Sequence, residues 1–526
     1  MYNKYIYLCF MLFVSVIGRS QTSTDTVSVV TPEMQRLELV KQLWLPTRNA
    51  SGLGFDPVAD HGDAWFGVFH SSGDYHRAQE GSRVNGLSFL AERYSKIARN
   101  LYVWGSFKFT MDRESERAWS DVILKEYTSP YQYGGSVKGS YDRQLFDLKV
   151  KFATGSIGRF TFGAEVDYSV GDLSRLRDPR SRVLLADYAI IPSLTYKISE
   201  KHALGLDFYY RFRKQHLDNI ITVQREKQFE YYLLEGLENY WMTTELGKVA
   251  RRTVADIFGG DLQYKLTGEY GSWLVSLGYE RLVEEVVDDE RKEPGDYNAQ
   301  KVTFYSGYKS ERINVLHAWN MQASYTGGQA EEFVQEQVNI THGNGMVSNK
   351  WVTLYNFVTY KDDVLNVQTD YTFYKGDVSR KDYNWLMGVS GKYEYLKNRY
   401  LLPESTREVS TLRIGVKGAG RVVNKDAHKF WIEAALNGAL PLETKMNLSE
   451  ENVFTENVFT ENVLNPDLRF FKAKTLEAKV DFQYSFPMRL KKTALTGYIK
   501  AYAGNVFTDK FGSRFSGGIS VGILTL

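Results

Sequence analysis

Cysteine, proline and histidine are scarce in this chain, and long apolar runs are missing after its first residues. The 526 residues include one cysteine, Cys9, with 11 prolines and 8 histidines. Because Cys9 lies inside the N-terminal apolar run, disulfides and cysteine-ligated metal sites are excluded for the rest of the chain. No later segment approaches the roughly 18 apolar residues that a membrane-spanning helix needs. The sequence therefore argues against both a helical membrane protein and a disulfide-rich domain.

The first twenty residues have the order of features of an export signal. Lys4 precedes an apolar run over residues 5–17, and the small residue Ser20 follows. This order is typical of a cleavable secretory signal. We expect residues 1–20 to be a signal peptide, with no lipid anchor at Cys9.

Charge is nearly balanced, with 65 basic and 63 acidic residues. Removal of residues 1–20 takes away two basic residues and no acidic one, so the remaining chain is neutral overall. Nucleic-acid-binding proteins normally carry a basic excess, and we expect no nucleic-acid partner. No Pro/Ser-rich linker divides the chain, which favours one large architecture over several soluble domains.

Alternation of apolar and polar residues recurs from about residue 83 onward. Residues 101–112 show it well, and 146–152, 160–168, 204–213 and 476–486 repeat it. The apolar face of the first segment comprises Leu101, Val103, Gly105, Phe107, Phe109 and Met111. Such segments, about 10 to 14 residues long, suit tilted bilayer crossings better than the about 5 to 6 residues of soluble strands.

The connections add a second signal, because outer-membrane barrels alternate short periplasmic turns with long outer loops. Short turns are predicted at 155–159, 199–201, 269–271, 309–311 and 361–363, and long polar connections at 113–131, 170–185, 214–260, 283–299 and 326–349. Both ends of the barrel should face the periplasm, which requires an even number of strands. This requirement adds a weak strand at 442–448. We predict an all-β fold over residues 61–526: a transmembrane antiparallel up-and-down β-barrel in the outer membrane, with about 20 strands and 16–20 as the range.

Residues 21–60 form a separate N-terminal periplasmic segment in this interpretation. Thr31, Pro32 and Glu33 have the pattern of an N-cap, an N1 proline and an acidic first turn. Apolar residues at helical spacing continue to Trp44. The pattern predicts a short helix at the barrel mouth, and one hypothesis is that it plugs the lumen.

Four arginines, Arg175, Arg177, Arg180 and Arg182, fall in one predicted outer loop. Guanidinium groups suit the phosphates of lipopolysaccharide or an anionic solute. An ordinary loop with salt-bridged arginines is the alternative.

A second outer loop, residues 227–247, is rich in aromatic residues and is a candidate helix. Its candidate surface contacts are Phe229, Tyr231, Tyr232, Tyr240 and Trp241. These rings could stack on sugars or on a partner protein, and packing of the loop against itself is the alternative.

Sites for metals, cofactors or catalysis are not indicated. The Asp/His residues between 60 and 76 lack the spacing of a zinc motif, and the acidic residues of 284–296 lack that of an EF-hand. No histidine falls in a nucleophile motif. We expect no cofactor, no bound metal and no enzymatic activity.

Ser51 to Tyr94, with Gly73-Asp74-Tyr75 before Gln79-Glu80-Gly81, and the Arg177-Asp178-Pro179-Arg180 loop resemble an uncharacterised outer-membrane β-barrel family of Bacteroidota. The barrel pattern and the absence of a catalytic constellation favour a porin-like role in solute passage or surface capture. The resemblance implies that this role is accessory to a TonB-dependent uptake system. It implies as partners outer-membrane lipid and lipopolysaccharide, and a TonB-dependent receptor or surface lipoprotein. An outer-membrane lipid- or peptide-modifying enzyme and a closed structural scaffold barrel are the alternatives.

Overall fold

A computed structural model describes residues 30–124, 129–218, 220–224, 228–289, 292–341, 347–425, 427–449, 457–490 and 493–525. The predicted signal peptide, residues 1–20, lies outside them. Eighteen strands form one antiparallel sheet, and the sheet closes because the first strand pairs with both the second and the last. The predicted barrel is confirmed, with 18 strands.

The strands, in chain order, are β1 (His61–Gly73), β2 (Arg83–Ala98), β3 (Leu101–Arg117), β4 (Tyr133–Gly135), β5 (Gly139–Thr154), β6 (Phe160–Arg175), β7 (Arg182–Lys197), β8 (His202–Leu217), β9 (Tyr231–Gly236), β10 (Asn239–Thr243), β11 (Arg251–Thr267), β12 (Gly271–Asp288), β13 (Gly295–Arg312), β14 (Val315–Thr341), β15 (Val347–Lys375), β16 (Trp385–Leu401), β17 (Glu404–Lys425), β18 (His428–Asn447), β19 (Thr475–Leu490), β20 (Thr493–Thr508) and β21 (Ser513–Thr525). β4, β9 and β10 form a separate small sheet. The helices are α1 (Pro32–Lys41), α2 (Gly52–Phe55) and α3 (Asn465–Phe471), the last preceded by a π-helical turn at Thr460–Leu464. None of these described helices is long and apolar enough to cross a membrane.

Alternation places apolar side chains outside the barrel. Ile190 on β7 and Phe208 on β8 are 56% and 60% exposed, whereas their neighbours Ala189 and Tyr209 face inward and are buried. A closed barrel has no unpaired sheet edge, and its outward apolar band suits lipid. The chain is therefore an integral outer-membrane β-barrel.

An even number of strands brings residues 30 and 525 to the same end of the barrel, which we take as the periplasmic end. Short turns at 155–159, 198–201, 268–270 and 313–314 also lie at this inner end. The longest connections, between β3 and β5, β8 and β11, and β18 and β19, lie at the outer end.

The predicted turn at 361–363 and the predicted separate strand at 442–448 were wrong, and each added one strand to the expected count of about 20. The predicted turn at 361–363 lies inside the 29-residue β15, and much of the predicted loop at 326–349 belongs to β14 and β15. Three charged residues in a row resemble a turn, but buried Asp362 accepts a hydrogen bond from the Tyr297 hydroxyl at 2.9 Å. The predicted strand at 442–448 is the outer end of β18.

The aromatic outer loop is a β-hairpin, not a helix, over its described residues. β9 pairs with β10 on one side and with β4 on the other. Gly236 and Leu237 turn the chain with φ of +132° and +47°, the region that favours glycine. Tyr231 to Leu234 are all buried, as in a short strand that is covered on both faces.

Candidate functional site: the barrel lumen

The lumen contains the N-terminal segment, residues 30–60, at its inner end. The predicted cap is present, since Thr31 Oγ1 accepts a hydrogen bond from the Met34 N–H at 3.3 Å. In α1, buried Glu33 accepts hydrogen bonds from Lys429 Nζ at 2.9 Å and Trp431 Nε1 at 2.6 Å. Leu37 of α1 is fully buried in an apolar cluster of the barrel wall. The helix is thus anchored to β18 and its neighbours.

Beyond α1 the segment crosses to the opposite wall. Lys151 Nζ of β5 donates to the Thr47 carbonyl at 2.8 Å, and Asn49 Nδ2 donates to Gln263 Oε1 of β11 at 2.9 Å. Ser51 lies so close to β6 that a Cβ at Gly163 would be 2.3 Å from its backbone nitrogen. The N-terminal segment therefore spans the lumen, and its role as a plug stays a prediction.

Arg48 of this segment points into an acidic part of the wall. Its Nη2 donates to Glu280 Oε2 at 3.0 Å, and Nη1 lies 3.9 Å from Asp261 Oδ1. The guanidinium carbon lies 4.0 Å from the centre of the Tyr209 ring. The Tyr209 hydroxyl donates to the same Glu280 oxygen. Arg48 is thus held by charge, hydrogen bonding and ring stacking together.

Outer loops cover the other end. We call the described parts of residues 118–138, 218–250 and 448–474 the outer cap. Asp121, fully buried, accepts hydrogen bonds from the Tyr141 and Tyr231 hydroxyls, both at 2.7 Å. Trp119 packs on Tyr232, with ring centres 4.8 Å apart.

The outer cap reaches both sides of the barrel. Phe229 and Leu233 belong to an apolar cluster that includes inward residues of β5 to β8. Leu237, at the hairpin turn, packs with Tyr297 and Tyr360 of the opposite wall. The cap is therefore fixed to the barrel mainly by apolar packing.

Several cavities, each lined in part by charged side chains, lie in the lumen. One of about 660 Å³ adjoins α1 and includes Lys479, Asp481 and Lys500. Two others, of about 490 and 350 Å³, are both lined by residues 46–48. A fourth, of about 370 Å³, lies beneath the outer cap. Residues 46–48 thus separate two cavities.

Charges on the lumen wall pair with one another. Glu165 contacts Lys149 at 3.3 Å and Lys151 at 3.1 Å. Asp187 contacts Arg211 at 3.3 Å and Arg213 at 2.9 Å. These ion pairs form ladders of mixed sign across neighbouring strands.

The four candidate arginines do not form one cluster. Arg175 is buried, donating to the Val137 carbonyl at 2.7 Å and the Tyr141 hydroxyl at 3.1 Å. Arg177, Arg180 and Arg182 are exposed. Arg180 pairs with Asp178 at 3.0 Å, and Arg182 with Asp172 at 2.6 Å.

Asp178 organises this arginine loop. Hydrogen bonds from the backbone N–H groups of Gln224 and Val223, with the Arg180 charge, hold the pKa of Asp178 below its ordinary value. Anion or lipopolysaccharide contact by Arg177, Arg180 and Arg182 stays a prediction.

Three of the five candidate aromatic residues are inside the outer cap. Phe229, Tyr231 and Tyr232 are buried, and Tyr240 is half-buried. Trp241 is 56% exposed. The loop packs against itself, as the alternative interpretation expected, and only Trp241 of the five is fully available to a partner.

The contacts of Arg48 were not anticipated from the sequence. Arg48 is one of several charged residues in residues 21–60, for which the sequence predicts only a short helix. Nothing in the local sequence distinguishes Glu280 from the other charged residues of β12. The one sequence signal that could have indicated Tyr209, Asp261 and Glu280 is the alternation along each strand, which identifies the inward-facing residues. Among the described residues, no group of three or more His, Cys, Asp or Glu side chains could hold a metal ion.

A model of a family of unknown function (DUF6850) matches residues 50–525. No curated protein matches the chain. The FrpB iron transporter from Neisseria meningitidis (F3-3 variant) is 8% identical, with a TM-score of 0.39, over 91% of this chain and 83% of that chain. The ferric yersiniabactin uptake receptor FyuA from Yersinia pestis is also 8% identical, with a TM-score of 0.39, over 89% and 80%. A Pseudomonas aeruginosa FadL homologue is 9% identical, with a TM-score of 0.33, over 91% and 92%. At such values the function has to be argued from the residues of this chain.

Proposed function

Because the chain belongs to a family of unknown function, DUF6850, its role must follow from its own lumen, and we propose that it passes a polar solute across the outer membrane. The N-terminal segment closes the inner end of the barrel and moves to let the solute through. The proposed role is non-enzymatic.

The partition at residues 46–48 carries this proposal. These residues line cavities of about 490 and 350 Å³ on either side, so their displacement would join the two spaces. Their contacts with the wall are mainly hydrogen bonds and ion pairs, such as Lys151 to Thr47 and Arg48 to Glu280. Polar contacts of this kind can be exchanged for water or for solute groups.

The charged side chains that line these cavities support passage over the two alternatives, a closed scaffold and an enzyme. A barrel that serves only as a scaffold has no need of solute-sized spaces, and these cavities fall within or near the size range of small-molecule sites. An enzyme of the serine or cysteine hydrolase kind needs a nucleophile beside a positioned base, and the side chains described in contact with Arg48 are instead Glu280, Asp261 and Tyr209.

A reversible cross-link tests the proposal. Ser51 Oγ lies 2.6 Å from Thr195 Oγ1 of β7, so Ser51→Cys with Thr195→Cys places two thiols within disulfide reach. Cys9 in the predicted signal peptide is the only native cysteine. In planar bilayers we expect the oxidised protein to be silent and the reduced protein to show openings. Deletion of residues 21–60 should give steady conductance.

The matched control joins two wall strands without touching the N-terminal segment. Ser88 of β2 faces Thr110 of β3, with their hydroxyl oxygens 3.4 Å apart. Oxidation of Ser88→Cys with Thr110→Cys should leave conductance unchanged. Silence of the reduced lock variant and of the deletion variant together would contradict passage and favour the closed scaffold.

We propose in addition that the barrel acts beside a TonB-dependent receptor. The resemblance of residues 51–94 and of the Arg177–Arg180 loop to barrels found in such settings supports this role. Cross-linking in intact cells, followed by purification of the barrel, should recover a receptor of that class. Recovery of the barrel alone would remove this part of the proposal.

A further inference from the structure

Three carboxylates converge on the wall beside Arg48. Asp207 of β8 is directly opposite Asp261 of β11, and Glu280 of β12 lies on the same inward face. Gly278 leaves room for this group, since a Cβ there would lie 1.8 Å from Asp261 Oδ1. Lys301, which pairs across strands with Glu280, and Arg48 supply two positive charges.

The buried carboxylates have unused capacity for hydrogen bonds. Asp207 is fully buried and accepts one hydrogen bond, from Gln263 Nε2 at 2.6 Å. Asp207 Oδ1 and Asp261 Oδ1 have no hydrogen-bond partner among the described residues. A buried carboxylate oxygen without a donor is unfavourable, because it has lost its hydrogen bonds to water and gained none in exchange. A further donor group would relieve this cost.

Arg48 shows which chemical group fits here. Its guanidinium donates to Glu280, approaches Asp261 and stacks over the Tyr209 ring. Planar cations with several N–H donors suit a carboxylate beside an aromatic face. A strongly hydrated ammonium would make less use of the ring.

The group is also within reach of the lumen. Asp261 lines the cavity of about 350 Å³ together with Ser276, Lys301 and Gln322. Tyr209 lines the cavity of about 490 Å³ on the other side of residues 46–48. A solute in either space therefore meets one side of the group that holds Arg48.

We propose that Asp261, Glu280 and Tyr209, with Asp207 behind them, form a binding site for the guanidinium group of a solute, which Arg48 occupies while the barrel is closed. The inference rests on the proposed passage function and names its solute class as organic cations. Solute binding displaces Arg48, and with it the polar partition at residues 46–48.

Direct binding to the folded barrel in detergent tests the site without requiring passage. The probe is L-argininamide, and L-citrullinamide, which has a neutral urea group in place of the guanidinium, is the matched comparison. The Arg48→Met variant keeps a long side chain but removes the competing cation. Calorimetry should show that Arg48→Met binds L-argininamide at least 10-fold more tightly than the wild type, with no gain for L-citrullinamide.

Two further variants locate the binding. Asp261→Asn, alone and with Arg48→Met, should reduce L-argininamide binding at least 10-fold, and it tests the site even if Arg48→Met does not fold. Glu477→Gln is the control, because Glu477 is an inward carboxylate of β19 that accepts a hydrogen bond from Asn437 at 3.0 Å, away from the N-terminal segment. It should bind as the wild type does.

Equal binding of the two probes, or binding that Asp261→Asn leaves unchanged, would overturn the site. Absence of measurable binding in every variant would overturn it as well. The two proposals fail separately: binding by a barrel that never conducts removes passage alone, and conductance without L-argininamide binding removes the guanidinium site alone.

Discussion

Individual residues of the outer cap differ from what their types suggest. Glu235 of β9 belongs to an outer loop, where a glutamate is ordinarily exposed, yet its side chain is half-buried in the outer cap. Burial, with the nearby Glu332 charge, raises the pKa of Glu235 to about 7 from its ordinary value of 4.5, and Arg251 acts in the opposite direction. The protonated form is therefore favoured in the folded cap.

This pKa predicts that the outer cap is more stable at acidic pH. Between about pH 4.5 and 7 the folded state binds more protons than the unfolded state, so stability falls as pH rises through this window. The full loss is about 3 kcal/mol at 1.36 kcal/mol per pKa unit. Hydrogen exchange of residues 231–243, corrected for intrinsic rates, should show lower protection at pH 8 than at pH 5.

The Glu235→Gln variant should remove most of this pH dependence, because glutamine does not titrate. Exposed Glu245, in the same outer connection, gives the control: Glu245→Gln should retain it. Unchanged pH dependence in Glu235→Gln would show that other groups control the cap.

Among the elements, α1 depends on tertiary contacts. A ten-residue helix is marginal by itself in water. Its buried Glu33 contacts Lys429 at 2.9 Å and lies 3.6 Å from Arg421. Removing one member of a buried ion pair leaves the other charge uncompensated, at a cost of about 3–5 kcal/mol.

Glu33→Ala should therefore release α1 from the wall. Limited proteolysis of the folded barrel should cut within residues 32–41 at least 10-fold faster than in the wild type. Arg36→Ala removes a more exposed pair, with Glu433 at 3.1 Å, and such pairs contribute about 0–1 kcal/mol. Equal cleavage of the two variants would contradict the assigned role of Glu33.

In the whole molecule, the closure of the barrel and the length of its strands at the outer end depend on different residues. β1 joins β21 over twelve residue pairs, and this seam removes the last free edges of the sheet. β14 and β15 instead extend beyond their neighbours, and residues 334–341 and 347–355 pair only with each other among the described strands. Two-stranded ribbons of this kind add little stability.

Deletion of residues 513–526 should abolish folding, whereas replacement of residues 334–355 by a two-residue Asn-Gly turn, which joins the facing residues 333 and 356, should leave the barrel folded. Semi-native electrophoresis measures both, since folded outer-membrane barrels migrate differently before and after heating. Heat-modifiable migration of the first variant, or its loss in the second, would contradict this division.

The sequence by itself determined the barrel, the outward face of its strands and the N-cap at Thr31. Period-2 alternation records which face of a strand meets lipid, and this depends only on neighbouring residues. Where charges interrupt the pattern, as at Lys361 to Asp363, the same rule indicated a turn that does not exist. Tertiary structure alone decided that the outer loops form a buried cap, so that Tyr231 is inside and Trp241 outside. It also decided that Arg48 meets Glu280, a residue 232 positions away in the chain. Such contacts depend on which wall the chain reaches after the barrel closes. No local sequence pattern encodes a contact between residues so far apart in the chain.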